Sequence, residues 1–154
     1  MKVSDILRVK GGSIFTVSSN DSLSGAVDLM AAKDIGSLVV MDQGNLMGIL
    51  TFREVIKTVV KNGGAIGKTS VGASMDEHPW TCTPETELDE VRRLILEHHA
   101  RYMPVVEDGA LIGVISFYDV AKAVVESQNF ENQMLKAYIR DWPGGEEPKP
   151  AETS

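Results

Sequence analysis

The sequence predicts an α+β fold: two tandem β-α-β-β-α repeats forming one pseudo-symmetric module, followed by a C-terminal helix. Three observations predict it. Residues 16–57 lie over residues 81–122 without a gap at an offset of 65, the step from Gly48 to Gly113. Leu23 thus falls on Leu88, Gly44 on Gly109, Phe52 on Phe117 and Lys57 on Lys122. Within each repeat, short β-branched apolar runs alternate with segments of helical spacing. The last two runs of each repeat are joined by a turn with glycine available for positive φ, Asp42-Gln43-Gly44-Asn45 or Glu107-Asp108-Gly109-Ala110.

Each repeat opens with a short strand, Phe15-Thr16-Val17 or Trp80-Thr81-Cys82. Asp21 and Thr86 are expected to cap the helix that follows. Its buried face is marked by Leu23, Ala26, Val27 and Met30, and in the second repeat by Leu88, Val91, Leu94 and Ile95. The runs Leu38-Val39-Val40-Met41 and Met103-Pro104-Val105-Val106 are short and mostly β-branched, so they predict strands. After the turn, residues 46–50 and 111–115 form a third strand that leads straight into a second helix. Repeat 1 spans 3–60, with a short insertion around Gly11-Gly12, and repeat 2 spans 71–126. A glycine-rich linker fills 61–70. Phe130, Met134, Leu135, Tyr138 and Ile139 mark a separate amphipathic helix over 127–142, ended by Trp142-Pro143, before a mobile tail over 143–154. A repeat of this size buries only about 60% of its unfolded surface, so the two are expected to pack together.

Composition narrows the function. The net charge of −7 disfavours a nucleic-acid polymer or an anionic membrane as partner. No apolar run reaches the roughly 18–20 residues of a membrane span, and the start carries no secretory h-region. One cysteine, Cys82, allows no internal disulfide, so a cytoplasmic location is expected. His98 and His99 point about 100° apart on a helix and cannot share a metal, so they are expected to be a polar helix end. No metal is expected. No nucleophile–base pair is spelled out by spacing, so no enzymatic activity is expected.

The chemistry-bearing residues sit where the third strand becomes the second helix. Ser116 offers its hydroxyl and the free N–H groups of that helix start to an anion. Asp119, one turn on, faces the same side and suits the two hydroxyls of a ribose. Arg101 can grip two phosphate oxygens. Taken alone, Ser116 and Asp119 are better read as a plain helix start, Ser as cap and Asp favoured by the dipole.

Arg101-Tyr102-Met103-Pro104-Val105-Val106, then Gly109-Ala110-Leu111-Ile112-Gly113-Val114-Ile115-Ser116 and Asp119, resemble the cystathionine-β-synthase-type (CBS) domain, which occurs in tandem pairs. The resemblance implies a regulatory module with two clefts for AMP, ADP, ATP or a related adenosyl compound such as NAD or S-adenosylmethionine. It also implies a disc-like homodimer and an unidentified regulated partner, with no required cofactor. The second cleft is expected to use Thr81, Cys82, Thr83, Arg101, Tyr102, Met103, Pro104, Ser116 and Asp119. The first is expected to use Thr16, Gly36, Ser37, Thr51, Arg53 and Glu54. It departs from the pattern, with Glu54 in place of aspartate and Gly36 where the second repeat has Arg101, so the second cleft is expected to bind better. The alternative is a constitutive dimerisation or interaction protein with vestigial clefts.

Overall fold

The computed structural model describes residues 1–11 and 13–140. Met1–Val120 form one compact unit that contains both sheets, and the chain from Ala121 onward belongs to a second.

The first repeat contains β1 (Thr16–Val17), α2 (Leu23–Lys33), β2 (Ser37–Asp42), β3 (Asn45–Thr51) and α3 (Phe52–Lys61). It is preceded by α1 (Val3–Lys10). The second contains α5 (Leu88–His98), β4 (Tyr102–Glu107), β5 (Ala110–Ser116) and the start of α6 (Phe117–Arg140), and is preceded by α4 (Val71–Ser74). β1 runs parallel to β2, which pairs antiparallel with β3; β4 pairs antiparallel with β5. The registers repeat at the same offset. Ser37 faces Thr51 as Tyr102 faces Ser116, and the ladder shifts at Val40/Met41 as it does at Val105/Val106. Both hairpin turns place two residues at positive φ, Gln43-Gly44 and Asp108-Gly109, the pattern of a tight two-residue hairpin.

The expected strand at Trp80-Thr81-Cys82 is reduced to a single parallel bridge, Cys82 with Val105. The cause is Pro104. Its counterpart Val39 donates its N–H to the Phe15 carbonyl at 3.1 Å, and proline has no N–H to donate. The first repeat is further tied by Asp42, which accepts from the Ser18 hydroxyl at 2.8 Å and the Ser19 N–H at 3.0 Å. The helix caps also fall one residue later than expected. Ser22 caps α2 by accepting the Gly25 N–H at 3.0 Å, and Glu87 stands before α5. Asp21 and Thr86 instead close the preceding turn, accepting the N–H of Ser18 at 2.9 Å and of Thr83 at 3.0 Å.

The segment before each repeat's first strand crosses to the other repeat. α1, not anticipated as a helix, packs on β5, and α4 packs on α2 and α3. Val3 donates its N–H to the Thr86 carbonyl just as Val71 donates to that of Asp21, and both valines are fully buried. Val71 thereby joins Leu23, Ala26, Met30, Leu38, Val40 and Leu50 in the first core. The first core is thus completed by a residue that leads into the second repeat, and Val3 of the first is buried against the second, so the two repeats depend on each other.

α6 runs unbroken through the boundary expected at 126/127, because residues 117–140 contain no glycine or proline to stop it. The expected helix end at Trp142-Pro143, the tail over 143–154 and Gly12 of the insertion lie outside the described residues.

Candidate functional site

Both strand-to-helix corners are built as reciprocal caps. Thr51 accepts the Arg53 N–H at 3.2 Å, while the Glu54 carboxylate accepts the Thr51 N–H at 2.9 Å and also the Thr51 hydroxyl. Ser116 accepts the Asp119 N–H at 3.1 Å, while Asp119 accepts the Ser116 N–H at 2.8 Å. Each motif thus satisfies otherwise orphaned donors at its helix start.

The surroundings of the two corners differ. Asp119 Oδ2 also accepts the Lys10 ammonium at 2.7 Å, and the same ammonium donates to the Val114 carbonyl at 2.8 Å. Burial pushes the Asp119 carboxyl up. The hydrogen bonds from Lys10 and Ser116, together with the lysine charge, outweigh it and hold the group below its ordinary value. Glu54 instead borders a cavity of about 240 Å³.

One wall of this cavity is the β3–α3 corner: Ile49, Thr51, Arg53 and Glu54. The opposite wall is the α5–β4 turn, with Arg101 and Tyr102. The segment before Thr81 adds Asp76, His78, Pro79 and Trp80. Trp80 stacks on His98 with ring centroids 4.0 Å apart and planes 14° from parallel. His99 ends α5 in the left-handed conformation, φ 52°, and turns the chain so that Arg101 enters the wall. All three histidines of the chain therefore border one cavity. With Arg53 and Arg101 they give it a surplus of nitrogen donors over its two carboxylates, Glu54 and Asp76. Pro79, Ile49 and the Trp80 ring supply flat apolar surface. That combination suits a ligand with an anionic end and an aromatic end.

A second, larger hollow of about 490 Å³ is also bordered by Arg101 and Tyr102, and is lined by Ser116 and by Ile95, Leu96, Phe117 and Tyr118. Asp119 stands in neither wall.

The structure thus regroups the expected site residues. Thr51, Arg53 and Glu54 share one cavity with Arg101 and Tyr102, which come from the other repeat. Ser116 meets Arg101 and Tyr102 in the second hollow. Thr81 borders a separate hollow beside Leu46, Met47 and Glu77. Cys82 is buried; its N–H donates to the Pro104 carbonyl at 3.1 Å and so is not left for an adenine edge, and its carbonyl accepts the Val106 N–H at 2.8 Å. Burial also pushes its thiol up to about 12. The Thr83 N–H is taken by Thr86. Met103 and Pro104 are fully buried. Thr16 pairs with Val39, and Ser37 stands opposite Thr51.

Gly36 explains its own departure from the pattern. A Cβ there would overlap the Tyr102 hydroxyl, so the space an arginine would need is filled by the neighbouring repeat. Arg101 supplies the cation to the cavity of Thr51 and Glu54 instead.

His78, Trp80, His98 and His99 were not among the expected site residues. Two signals mark three of them: His98 and His99 lie within three residues of Arg101, and Trp80 opens the strand segment assigned to a cleft; His78 carries no such signal. Among the described residues, no group of three or more His, Cys, Asp or Glu side chains is placed to hold a metal ion.

The CBS domain family matches residues 3–61 and again residues 70–126. The chain belongs to the CBS domain family. It is 34% identical to the mitochondrial CBS domain-containing protein CBSX3 of Arabidopsis thaliana over 147 residues, covering 90% of this chain and 71% of that protein. A signal-transduction protein with CBS domains from Burkholderia ambifaria superposes with a TM-score of 0.77 at 36% identity, over 83% of this chain and 96% of that one. CBSX2, solved in complex with AMP, superposes with a TM-score of 0.68 at 26% identity, over 82% of this chain and 98% of that one. CBS pairs are in general regulatory parts and not catalytic ones. Among the described residues, no helix is long and apolar enough to cross a membrane.

Proposed function

We propose that this CBS pair is an adenine-nucleotide sensor and that its ligand sits in the cavity bordered by Glu54 and Arg101. The observation that carries this is the convergence of Thr51, Arg53 and Glu54 from one repeat with Arg101 and Tyr102 from the other on one space. Glu54 keeps Oε1 for ribose hydroxyls while Oε2 caps its helix. Arg101 and Arg53 take phosphate, and the Pro79 and Trp80 surface takes the purine. The AMP complex of CBSX2 supports the ligand class. AMP, ADP and ATP fit it, and NAD and S-adenosylmethionine carry the same adenosine.

A ligand gripped by both repeats favours one angle between them over another, and that differential affinity is what regulates a partner. We assign the protein to the cytoplasm as a homodimer. The exposed residues Phe52, Ile56 and Val60 form an i, i+4, i+8 stripe on α3, and Phe130, Met134 and Leu135 expose a second on α6. Light scattering that returns the mass of one chain at micromolar concentration would refute the dimer.

The sensor itself is tested by melting with AMP, ADP and ATP. A hundredfold excess over the dissociation constant should stabilise by about 2.7 kcal/mol. A transition unmoved by millimolar concentrations of all three points instead to a constitutive interaction protein.

A further inference from the structure

We infer that Lys10 is an internal competitor that keeps the second repeat's carboxylate, Asp119, from taking a nucleotide ribose, so that the chain has one open cleft and one closed. The inference rests on the sensor proposal and adds a selectivity residue to it.

The two carboxylates are equivalent by position, Glu54 falling on Asp119 at the repeat offset. Each uses one oxygen to accept the N–H of its own cap residue. On Asp119 that same oxygen also holds Lys10 at 2.7 Å. Among the described residues, no lysine, arginine or histidine lies within ion-pair distance of Glu54. The Lys10 ammonium is anchored twice, because it also donates to the Val114 carbonyl at 2.8 Å. Two of its three donors are therefore fixed on the β5–α6 corner.

The helix behind Lys10 is fixed too. Leu7 lies against Gly113, where an added Cβ would come within 2.8 Å of it. Val3 is fully buried, and Lys2 pairs with Glu85 at 2.8 Å. α1 thus delivers the lysine to this carboxylate as part of the fold. The first repeat has no counterpart. The segment after α4 meets β3 through backbone bonds between Asp76 and Ile49, at 2.9 and 3.0 Å, and leaves the Glu54 carboxylate facing a cavity. Lys10 and the Ser116 N–H share Oδ2, so a ribose at Asp119 meets Oδ1 beside an anchored ammonium that already neutralises the carboxylate. A ribose at Glu54 meets a carboxylate with no ion-pair partner among the described residues.

Calorimetric titration with AMP tests this in wild type, Lys10→Met and Lys10→Arg. The expected result is one equivalent per chain for wild type and for Lys10→Arg, which keeps the ion pair. Lys10→Met should add a second equivalent, its affinity raised about ten- to a hundredfold, the worth of freeing one charge-assisted acceptor. A Lys10→Met protein that still binds one equivalent with unchanged affinity overturns the inference. So does one that binds more weakly, because Lys10 would then be a phosphate ligand. If wild type binds nothing and Lys10→Met binds one, the sensor proposal fails at the first cleft and the Lys10 inference stands. If neither binds, both fail. A readout on wild type keeps the test open should Lys10→Met misfold: the carboxyl carbon resonance of Asp119 should stay unmoved as one equivalent of AMP is added, and a shift matching occupancy would contradict the closed cleft.

Discussion

The corner at Thr51 and Glu54 and the corner at Ser116 and Asp119 are one piece of chain written twice. Both begin a helix, both close a reciprocal cap, and the strands leading into them share a register. They differ in what the rest of the molecule brings. At Glu54, the α5–β4 turn brings Arg101, Tyr102 and two histidines across a cavity. At Asp119, α1 brings a lysine into contact. The motif residues specify a helix start in either place, and the neighbours decide whether the carboxylate faces a space or a cation.

The sharpest way to break this comparison is at Arg101. Arg101→Ala should weaken AMP binding about ten- to a hundredfold, the worth of hydrogen bonds to a charged group, with little change in melting temperature, because the side chain is exposed. Equal affinity in the variant would detach Arg101 from the site.

A smaller effect is expected at Gly36. Gly36→Ala pushes the far end of the Tyr102 side chain aside and should cost about 1 kcal/mol of stability, the low end of overpacking. Because Tyr102 also lines the cavity, AMP affinity should fall without any ligand contact at Gly36 itself. Combining it with Tyr102→Phe, which removes the overlapping oxygen, should restore most of the stability. A double variant no better than the single would refute the contact.

The smallest effect is electrostatic. The folded state holds the Asp119 carboxyl below its ordinary value. Its contribution is therefore present above the ordinary carboxylate range, about pH 4, and is lost as pH falls through the depressed value. Lys10→Met removes the main partner, so its unfolding free energy should fall less steeply below about pH 4 than that of wild type, a difference of up to about 1 kcal/mol for a partly exposed pair. Parallel chemical denaturation at pH 3 and pH 7 reads it, and identical slopes would deny the pair any energetic role.

Much of the fold was legible in the sequence because the repeat keeps turn glycines and apolar positions in register. Gln43-Gly44 and Asp108-Gly109 turn as the spacing required, and Leu23, Met30, Leu88 and Ile95 are buried as their helical periodicity indicated. The strand expected at Trp80 shrinks to one bridge because local β propensity says nothing of the partner, and the partner offers Pro104. The site was harder to read. Arg101 and Ser116 do share a hollow, as their common repeat suggests, but Asp119 lines neither hollow, because a cleft is made by chain that meets in space. α1 carries the helical spacing of Val3, Ile6 and Leu7, but eight residues do not say that it crosses to the second repeat and brings Lys10 to Asp119. Likewise Gly36 looked like a missing arginine, and its reason was a tyrosine 66 positions away in the chain.

The decisive measurement is a calorimetric titration of Glu54→Gln and Asp119→Asn with AMP, side by side, after circular dichroism has shown both folded. Glu54→Gln should lose roughly tenfold in affinity, because the charged acceptor for the ribose is gone. Asp119→Asn should bind the first equivalent as wild type does, because its carboxylate is paired with Lys10 and lines neither cavity beside Arg101. A greater loss in Asp119→Asn than in Glu54→Gln would put the nucleotide at the second repeat's corner and contradict the assignment of the open cleft.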